Sequence, residues 1–383
     1  MKKRMNPVYI TRLSAFFPNR PVGNDEMEDY IGLVNAKSSI AKRLILEKNG
    51  IKQRYYALDK SGRVTHTNVE MAALAVCGLF DEQVTPADID LLACGTASPE
   101  QLIPSHGVMV HGALGGAAET EVVSFAGSCC TGMHALKYAY LSMLAGESEH
   151  AVCVASERLS AWMKASYFEK EAELIGRLHE RPILAFEKEF LRWMLSDGSV
   201  AALLSHTPAG EKLSFRIEWI ETMSYADRVE TCMYAGGEKD EAGRLMGWAQ
   251  FPEEEWLARS LFSLKQDTRL LEQHIVALGG RFLQRIVKKR HFDPERADWF
   301  LPHLSSMYFK EKIESELRRV GYHIPEEKWY VNLPEVGNIA SASALAMLDG
   351  LERSGRLKKG NTILLMVPES ARFSYAYALL TVV

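Results

Sequence analysis

Hydrophobic and polar positions follow two different periods along this chain, and the two periods alternate. Short apolar runs predict buried strands, whereas segments with apolar residues every three or four positions predict amphipathic helices. Strands are predicted over residues 8–10, 91–96, 121–126, 151–155, 195–204, 212–224, 299–301, 329–332 and 362–367, and helices over 38–49, 67–79, 108–114 and 133–144. This alternation predicts a layered α/β fold around a central sheet.

Residues 157–193 interrupt the alternation. The segment is long and charged, and its aromatic residues are Trp162, Tyr167, Phe168, Phe186, Phe190 and Trp193. This pattern is typical of amphipathic helices that cover an apolar surface. We expect a helical insertion that roofs a substrate tunnel. The alternative is a cover for the sheet or for a subunit interface.

The C-terminal part of the chain repeats the pattern of the first part. Asp88 precedes one buried strand and Asp298 precedes another, and a small-residue corner follows each at a similar distance, from 88 to Cys130 and from 298 to Asn338. The spacing predicts two halves of like topology, residues 1–206 and 207–383, with Cys130 and Asn338 at equivalent strand–helix corners.

Composition limits the classes of function. The 383 residues are 47% hydrophobic and 25% charged, as expected of a globular protein with a large core. A net charge of −4 argues against bulk nucleic-acid binding, which needs an excess of cations. The basic N-terminus lacks the apolar region of a signal peptide, and no apolar run approaches the ~20 residues of a membrane span. We therefore expect a cytoplasmic protein.

The six cysteines support the same interpretation. They are Cys77, Cys94, Cys129, Cys130, Cys153 and Cys232, mostly in apolar segments and without a CxxC spacing. That distribution indicates neither a zinc site nor a disulfide framework. We expect reduced thiols and no bound metal.

Two of these cysteines occupy a position suited to chemistry. Cys129 and Cys130 lie at the predicted corner between the strand 121–126 and the following helix. A free thiol titrates near pH 8.5, and the N-terminus of a helix favours its anion, so we expect a lowered pKa and a more reactive thiol. The alternative is that small residues allow tight packing there and that the cysteines belong to the core.

A histidine and an asparagine are candidates for the same site. His303 follows the strand 299–301, and Asn338 lies at the corner that matches Cys130. If the two halves pack face to face, these three side chains converge at a central cleft. Read alone, such a histidine is more often a packed or capping residue, but the matched corners favour catalysis.

Five motifs, in this order and spacing, carry a family resemblance. They are Gly50-Ile51-Lys52-Gln53-Arg54, the run from Asp88 through Ile103-Pro104-Ser105, Ser128-Cys129-Cys130-Thr131-Gly132-Met133, Pro302-His303, and Gly337-Asn338-Ile339-Ala340-Ser341. Over nearly its whole length the chain resembles the β-ketoacyl-acyl-carrier-protein synthase III enzymes of the thiolase superfamily. The resemblance implies a thiolase-like, five-layered αβαβα fold built from two similar halves, commonly a homodimer.

The resemblance also implies roles for individual residues. The family's nucleophile falls on Cys130, with Cys129 as its neighbour, and its histidine and asparagine fall on His303 and Asn338. In this chemistry the cysteine thiolate attacks an acyl thioester, and backbone N–H groups at the corner hold the oxyanion. The other two side chains stabilise the enolate that forms when a malonyl-type thioester loses carbon dioxide. Acyl-carrier-protein or coenzyme A thioesters serve as substrates, and no metal or redox cofactor is needed.

The departures from the family pattern indicate a specialised member. The loop 367–374 with Pro368-Glu369-Ser370 replaces a glycine-rich loop, and Leu44 stands where some members have a tryptophan that stacks on coenzyme A. These changes favour a polyketide-like or resorcinol/cyclohexanedione-type pathway whose acyl donor arrives on a carrier protein. The alternatives are a cysteine-dependent acyltransferase of the same fold and a non-catalytic partner of a ketosynthase.

Clustered cations near His303 suggest where an acidic carrier protein would dock. The candidates are Lys288, Lys289 and Arg290 on one predicted helix, and Lys310, Lys312, Arg318 and Arg319 on another. Positive surface charge attracts an acidic partner. The alternative is an ordinary solvated helix face.

Overall fold

A single mixed sheet connects the two halves of the chain in the computed structural model, which describes residues 6–36, 39–116, 119–166, 168 and 190–383. Within these residues the sheet has nine strands: β1 (Tyr9–Phe16), β2 (Leu91–Thr96), β3 (Glu121–Ala126), β4 (His150–Glu157), β5 (Gly198–Ser205), β6 (Phe215–Ser224), β7 (Trp299–Pro302), β8 (Thr362–Glu369) and β9 (Ser374–Val382). The strand order is β7-β8-β9-β6-β1-β5-β4-β2-β3. The predicted α/β class is confirmed.

The strand order repeats between the halves. The first half runs β1-β5-β4-β2-β3 and the second runs β6-β9-β8-β7, with the same parallel and antiparallel relations in both. The halves join where Tyr9 and Ile10 of β1 pair with Arg216 and Phe215 of β6. The predicted strand 329–332 is reduced to one bridge from Trp329 to Phe300. The boundary at 206/207 stays a prediction.

Helices cover both faces of each half and form the middle layer. They are α1 (Met27–Ile31), α2 (Ile40–Asn49), α3 (Asn68–Cys77), α4 (His106–Leu114), α5 (Thr131–Ala145), α6 (Glu255–Ala258), α7 (Thr268–Arg290), α8 (Lys310–Arg319), α9 (Leu333–Val336) and α10 (Ser343–Arg353). Helices α3 and α4 pack outside the first half, α7 and α8 outside the second, and α5 and α10 between them. This is the five-layered αβαβα arrangement implied by the resemblance.

Side chains along β2 point alternately to the two faces of the sheet, so this one strand packs against two helical layers. Leu91 and Ala93 belong to the main core cluster that includes α5, whereas Leu92 and Cys94 belong to a second cluster under α3 and α4. Successive side chains of a strand point to opposite faces, so an all-apolar run is required where both faces are covered.

Strand β3 differs from its prediction. Residues 121–126 were expected to form a buried strand, but the four central residues are only half-buried and Glu121 and Ala126 are exposed. The reason is position, because β3 lies at the end of the sheet and pairs only with β2.

The expected helical insertion lies largely outside the described residues. Its described parts include a short helical turn at Leu159–Trp162 and the segment around Trp193, which is fully buried. The helical roof stays a prediction. In the described part of the chain, no helix is both long and apolar enough to cross a membrane.

Candidate active site

The start of α5 positions both cysteines beside the second half of the chain. The helix begins at Thr131, immediately after the pair, and passes against the Asn338 corner. A Cβ atom on Gly132 would lie 2.3 Å from the carbonyl oxygen of Ser341, so only glycine allows this approach. The sequence duplication therefore has a physical counterpart, since the two corners touch.

The two thiols have different surroundings. The Cys130 side chain is fully buried, and its sulfur lies 3.4 Å from the carbonyl oxygen of Val367, to which it donates. Cys129 is slightly exposed and lines two cavities, neither of which Cys130 lines. Of the two cysteines, Cys129 is the one that lines the cavities. The sequence-based assignment of Cys130 stays a prediction, and this geometry does not favour it.

The larger cavity, called here the main cavity, has a volume of about 510 Å³. Cys129 and Asn338 line it together with a mostly apolar wall. That wall includes Leu159, Trp162, Leu191, Leu195, Met233, Trp248, Phe262 and Leu264. Its size and lining suit an apolar ligand with a few polar contacts near one end.

The smaller cavity connects Cys129 to the histidine. It measures about 30 Å³ and is lined by Cys129 and His303, and it shares Ser305 and Ser370 with the main cavity. Cys129, His303 and Asn338 thus lie around two adjoining cavities. The structure brings together two of the predicted site residues, His303 and Asn338, with Cys129, the neighbour of Cys130.

Burial sets the protonation state of His303. The residue follows β7, and its backbone N–H donates to the carbonyl oxygen of Met366 at 2.7 Å. The ring is almost fully buried, and burial lowers the pKa of His303 to about 4. The imidazole is therefore neutral at pH 7, with one nitrogen that donates and one that accepts.

Backbone pairing holds Asn338 in place. Its N–H donates to the Met194 carbonyl, and its carbonyl accepts from Ser196, both at 3.0 Å. The side-chain Oδ1 accepts the N–H of Ala340 at 3.0 Å. Oδ1 is therefore used within the chain. The Nδ2 group is the part of the amide that can donate a hydrogen bond to a ligand. Gly337, with φ of +72°, provides the turn that allows this placement.

Glu369 is a functional candidate that sequence reasoning noted only as a departure. It ends β8, and its carboxylate accepts the backbone N–H of Cys130 at 2.9 Å. Burial raises the pKa of Glu369, and hydrogen bonds from the N–H groups of Cys130 and Ser128 oppose that rise. The signal in the sequence was a carboxylate in a loop where the family has glycine.

This carboxylate changes two expectations about the corner. Burial, with a smaller contribution from Glu369, raises the pKa of Cys129 to about 12. The expectation of a lowered thiol pKa is wrong, because burial and a nearby carboxylate outweigh the helix N-terminus. The Cys130 N–H, expected to hold an oxyanion, already donates to Glu369.

Glu157 is a second residue that sequence reasoning missed. It ends β4 and is completely buried, and its carboxylate accepts from the hydroxyl of Ser98 at 2.6 Å and from the hydroxyl and N–H of Ser341. It therefore links the loop after β2 to the Asn338 corner. Burial raises the pKa of Glu157 to about 7, although these hydrogen bonds lower it. The only signal was a lone glutamate at the end of an apolar run.

Comparisons with known proteins agree with this architecture. The sequence model described as 3-oxoacyl-[acyl-carrier-protein (ACP)] synthase III C terminal matches residues 287–380. β-Ketoacyl-[acyl-carrier-protein] synthase III of Bordetella petrii is 24% identical over 370 residues, 95% of each chain, and that of Anaplasma marginale is 22% identical over 356 residues, 92% of each chain. Over nearly its whole length the chain is therefore similar to β-ketoacyl-[acyl-carrier-protein] synthase III sequences, at low identity.

Solved structures of condensing enzymes share the fold of this chain. AbyA1, a tetronic acid condensing enzyme, has a TM-score of 0.74 at 18% identity and covers 98% of this chain and 99% of its own. A variant of OleA from Xanthomonas campestris has a TM-score of 0.73 at 20% identity and covers 98% of both chains. The predicted thiolase-like fold is confirmed. The similarity to synthase III sequences supports the predicted enzyme class, an acyltransferase.

The predicted docking cations are largely paired within the chain. Lys310 pairs with Glu326, Lys312 with Glu272, Arg318 with Glu314 and Arg319 with Glu316, while Lys289 and Arg290 both pair with Glu221. These pairs reduce the positive potential that the sequence suggested.

In the described part of the chain, no group of three or more histidine, cysteine or carboxylate side chains is arranged to hold a metal ion.

Proposed function

We propose that this protein forms an acyl-cysteine intermediate and joins the acyl group to a malonyl- or β-ketoacyl-type thioester. One observation carries the proposal. A thiol, a neutral imidazole and an amide with a free donor group line two adjoining cavities that share Cys129. The proposed steps use these side chains alone.

The first step transfers the acyl group to sulfur. The thiol of Cys129 attacks the carbonyl carbon of the acyl thioester, the bond to the donor sulfur breaks, and the donor thiol leaves. Because the thiol is protonated at neutral pH, a base must take its proton during the attack. The neutral ring of His303 accepts that proton and returns it to the departing sulfur.

The second step forms the carbon–carbon bond. His303 and the Nδ2 group of Asn338 donate to the thioester oxygen of the malonyl group, which stabilises the enolate as carbon dioxide leaves. The enolate carbon then attacks the acyl carbon on Cys129. The carbon–sulfur bond breaks, the product is released, and the cysteine thiolate takes a proton from solvent to regenerate the thiol.

Acyl labelling tests the proposal and separates the two cysteines. After incubation with a panel of acyl thioesters, we expect one acyl adduct by intact-protein mass spectrometry. Peptide mapping should place it on residue 129. Cys129→Ser should abolish the adduct and Cys130→Ser should retain it. An adduct on residue 130 would restore the sequence-based assignment, and no adduct from any thioester would refute the acyl-cysteine mechanism.

A cysteine-dependent acyltransferase is the second candidate function. The observation in its favour is that Glu369 already occupies the N–H of Cys130, one of the donors expected to hold an oxyanion. Release of carbon dioxide from malonyl thioesters decides between the two. Acylation without any release from malonyl or β-ketoacyl carriers would establish transfer to an alcohol or amine instead. The presence of cysteine, histidine and asparagine together argues against a non-catalytic partner subunit.

We further propose an acyl carrier protein as the source of the acyl donor, cytoplasmic location, and a resorcinol- or cyclohexanedione-type product. The support is the altered loop 367–374 and Leu44, which remove features associated with coenzyme A-dependent members. Comparing carrier-protein and coenzyme A thioesters of one acyl group tests the donor. Equal kcat/KM for both would contradict a carrier-protein preference.

A further inference from the structure

A third cavity adjoins the main cavity. It has a volume of about 380 Å³ and shares Pro99, Glu100, Trp162 and Phe262 with the main cavity. Its remaining wall includes Trp256 and several polar side chains. We call it the Arg158 cavity, after the cation that lines it.

Arg158 lines this cavity and has an unused hydrogen-bond donor. Its Nη2 atom contacts the Glu100 carboxylate at 2.9 Å, and both side chains are largely buried. The Nε–H is buried and has no hydrogen-bond partner among the described residues. Buried donors are almost always paired in folded proteins, so an unpaired one in a cavity wall indicates a place for a ligand acceptor.

The charge balance selects the kind of acceptor. Glu100 lies on the same cavity wall and neutralises the guanidinium. A ligand carboxylate would leave a net negative charge in a largely buried, partly aromatic setting, where unpaired charge is strongly disfavoured. A keto or hydroxyl oxygen satisfies the Nε–H without adding charge.

We propose that the Arg158 cavity binds the distal part of the acyl chain and that Arg158 Nε–H donates to a neutral keto or hydroxyl oxygen on it. The inference rests on the proposed function, since it assigns the chain carried by the thiol of Cys129. The main cavity then holds the part of the chain next to the thioester. The preferred acyl donor is an oxygenated chain of the polyketide kind instead of a plain alkyl chain.

Selectivity among acyl donors tests this assignment. Thioesters of N-acetylcysteamine with matched chain lengths would carry a plain, oxo-, hydroxy- or carboxy-substituted chain, and kcat/KM for acylation would be followed by intact-protein mass spectrometry. We expect the best oxo or hydroxy chain to exceed the plain chain by about tenfold, the size of one buried hydrogen bond. Arg158→Met should bring that ratio close to one.

Two further variants keep the result interpretable. Arg259→Met removes an arginine that is also paired with a glutamate, Glu255, but does not line the cavity, and it should keep the wild-type ratio. Arg158→Met with Glu100→Gln removes both members of the buried pair, so a folding defect of the single variant does not block the test.

The outcomes distinguish this inference from the proposed function. Equal kcat/KM for plain and oxygenated chains in the wild type would overturn the inference, as would a preference for the carboxy chain. In both cases acylation of the cysteine would still support the proposed function. Absence of acylation by every thioester would refute the proposed function itself.

Discussion

Glu157 makes the stability of the protein depend on pH. Because its folded-state pKa of about 7 lies above the ordinary carboxyl value, the folded chain binds the proton more tightly than the unfolded chain. The stabilising contribution is complete at pH values below the ordinary carboxyl pKa. It is lost as pH rises through about 7.

Glu157→Gln isolates this effect. The amide imitates the protonated acid, since its oxygen can accept the backbone N–H groups and its NH₂ group can donate to the hydroxyls of Ser98 and Thr96. Relative to the variant, the wild-type free energy of unfolding should fall by roughly 2–3 kcal/mol between about pH 5 and about pH 8. Urea denaturation at several pH values measures the difference. A difference independent of pH would contradict the raised pKa.

Asn338 is predicted to act after acylation. Asn338→Ala removes one of two donors to the enolate oxygen, so decarboxylation and product formation should fall roughly 100-fold. Acylation of the cysteine should change little, because that step does not use the amide. Single-turnover acylation and carbon dioxide release are the two measurements. Asn361→Ala, in the turn before β8, serves as a matched control, and normal product formation by the Asn338 variant would favour the acyltransferase candidate.

At the scale of single residues, the sequence identifies which residue types belong to the site more reliably than it identifies the direction in which each side chain points. His303 and Asn338 were found because their motifs fix them relative to a strand end and a corner. Cys129 and Cys130 could not be separated in the same way. Cys129 lines the main cavity, whereas the sulfur of Cys130 contacts the Val367 carbonyl. Which residue faces the cavity depends on local backbone angles at the helix start, where Cys130 has φ of −79° and ψ of −10°. A spacing motif does not encode such angles.

At the scale of elements, the β8–β9 hairpin controls the reactivity of the thiol at the start of α5. Glu369→Gln keeps a hydrogen-bond acceptor for the Cys130 N–H but removes the negative charge. Since that charge contributes to the raised pKa of Cys129, the variant should form thiolate at lower pH. Burial persists, so the pKa should stay above the ordinary thiol value.

Alkylation by iodoacetamide across a pH series measures this change. We expect several-fold faster labelling of Cys129 in the Glu369→Gln variant at mildly alkaline pH. Glu272→Gln, on the outer helix α7, should behave as wild type. An unchanged pH profile would show that the carboxylate does not act on the thiol.

Strand β3 shows why element predictions fail at edges. Its apolar residues satisfy the pattern of a buried strand, yet no strand of the described chain covers its outer side. A hydrophobic run indicates that a surface is covered but not by which molecule. The same reasoning applies to exposed apolar residues elsewhere on this half, which also indicate a surface with a cover. They are Leu102, Ile103, Val108, Met109 and Leu141. We therefore propose a second copy of this chain as the partner of this face, in line with the homodimer implied by the resemblance.

At the scale of the whole molecule, light scattering tests that dimer. Ile103 is 87% exposed and Leu141 is 49% exposed, so aspartate at both positions should leave a monomer fold intact. A dimer that buries them should dissociate, because unpaired charges at an interface core are strongly disfavoured. Leu245→Asp changes a comparably exposed leucine on a small hairpin and should not affect mass. A monomeric wild type would contradict the proposal.

The repeated topology was predictable, whereas the cavities were not. Matching strand, corner and helix spacings are local patterns that survive in one sequence, and the two halves do share a strand order. The main cavity is lined by separate segments from residue 97 to residue 371. Its shape depends on how those segments pack, and no local pattern specifies that packing.

The place of β1 in the sheet has a consequence for biosynthesis. This strand is synthesised well before both of its partners, because Tyr9 pairs with Ser205 on one side and with Arg216 on the other. It must stay unpaired until the residues of β5 and β6 have been translated. Such distant pairing slows folding and leaves an apolar strand open to other chains in the meantime. Production of the protein in cells should therefore benefit from slower translation or from added chaperones, even though the finished fold is continuous from end to end.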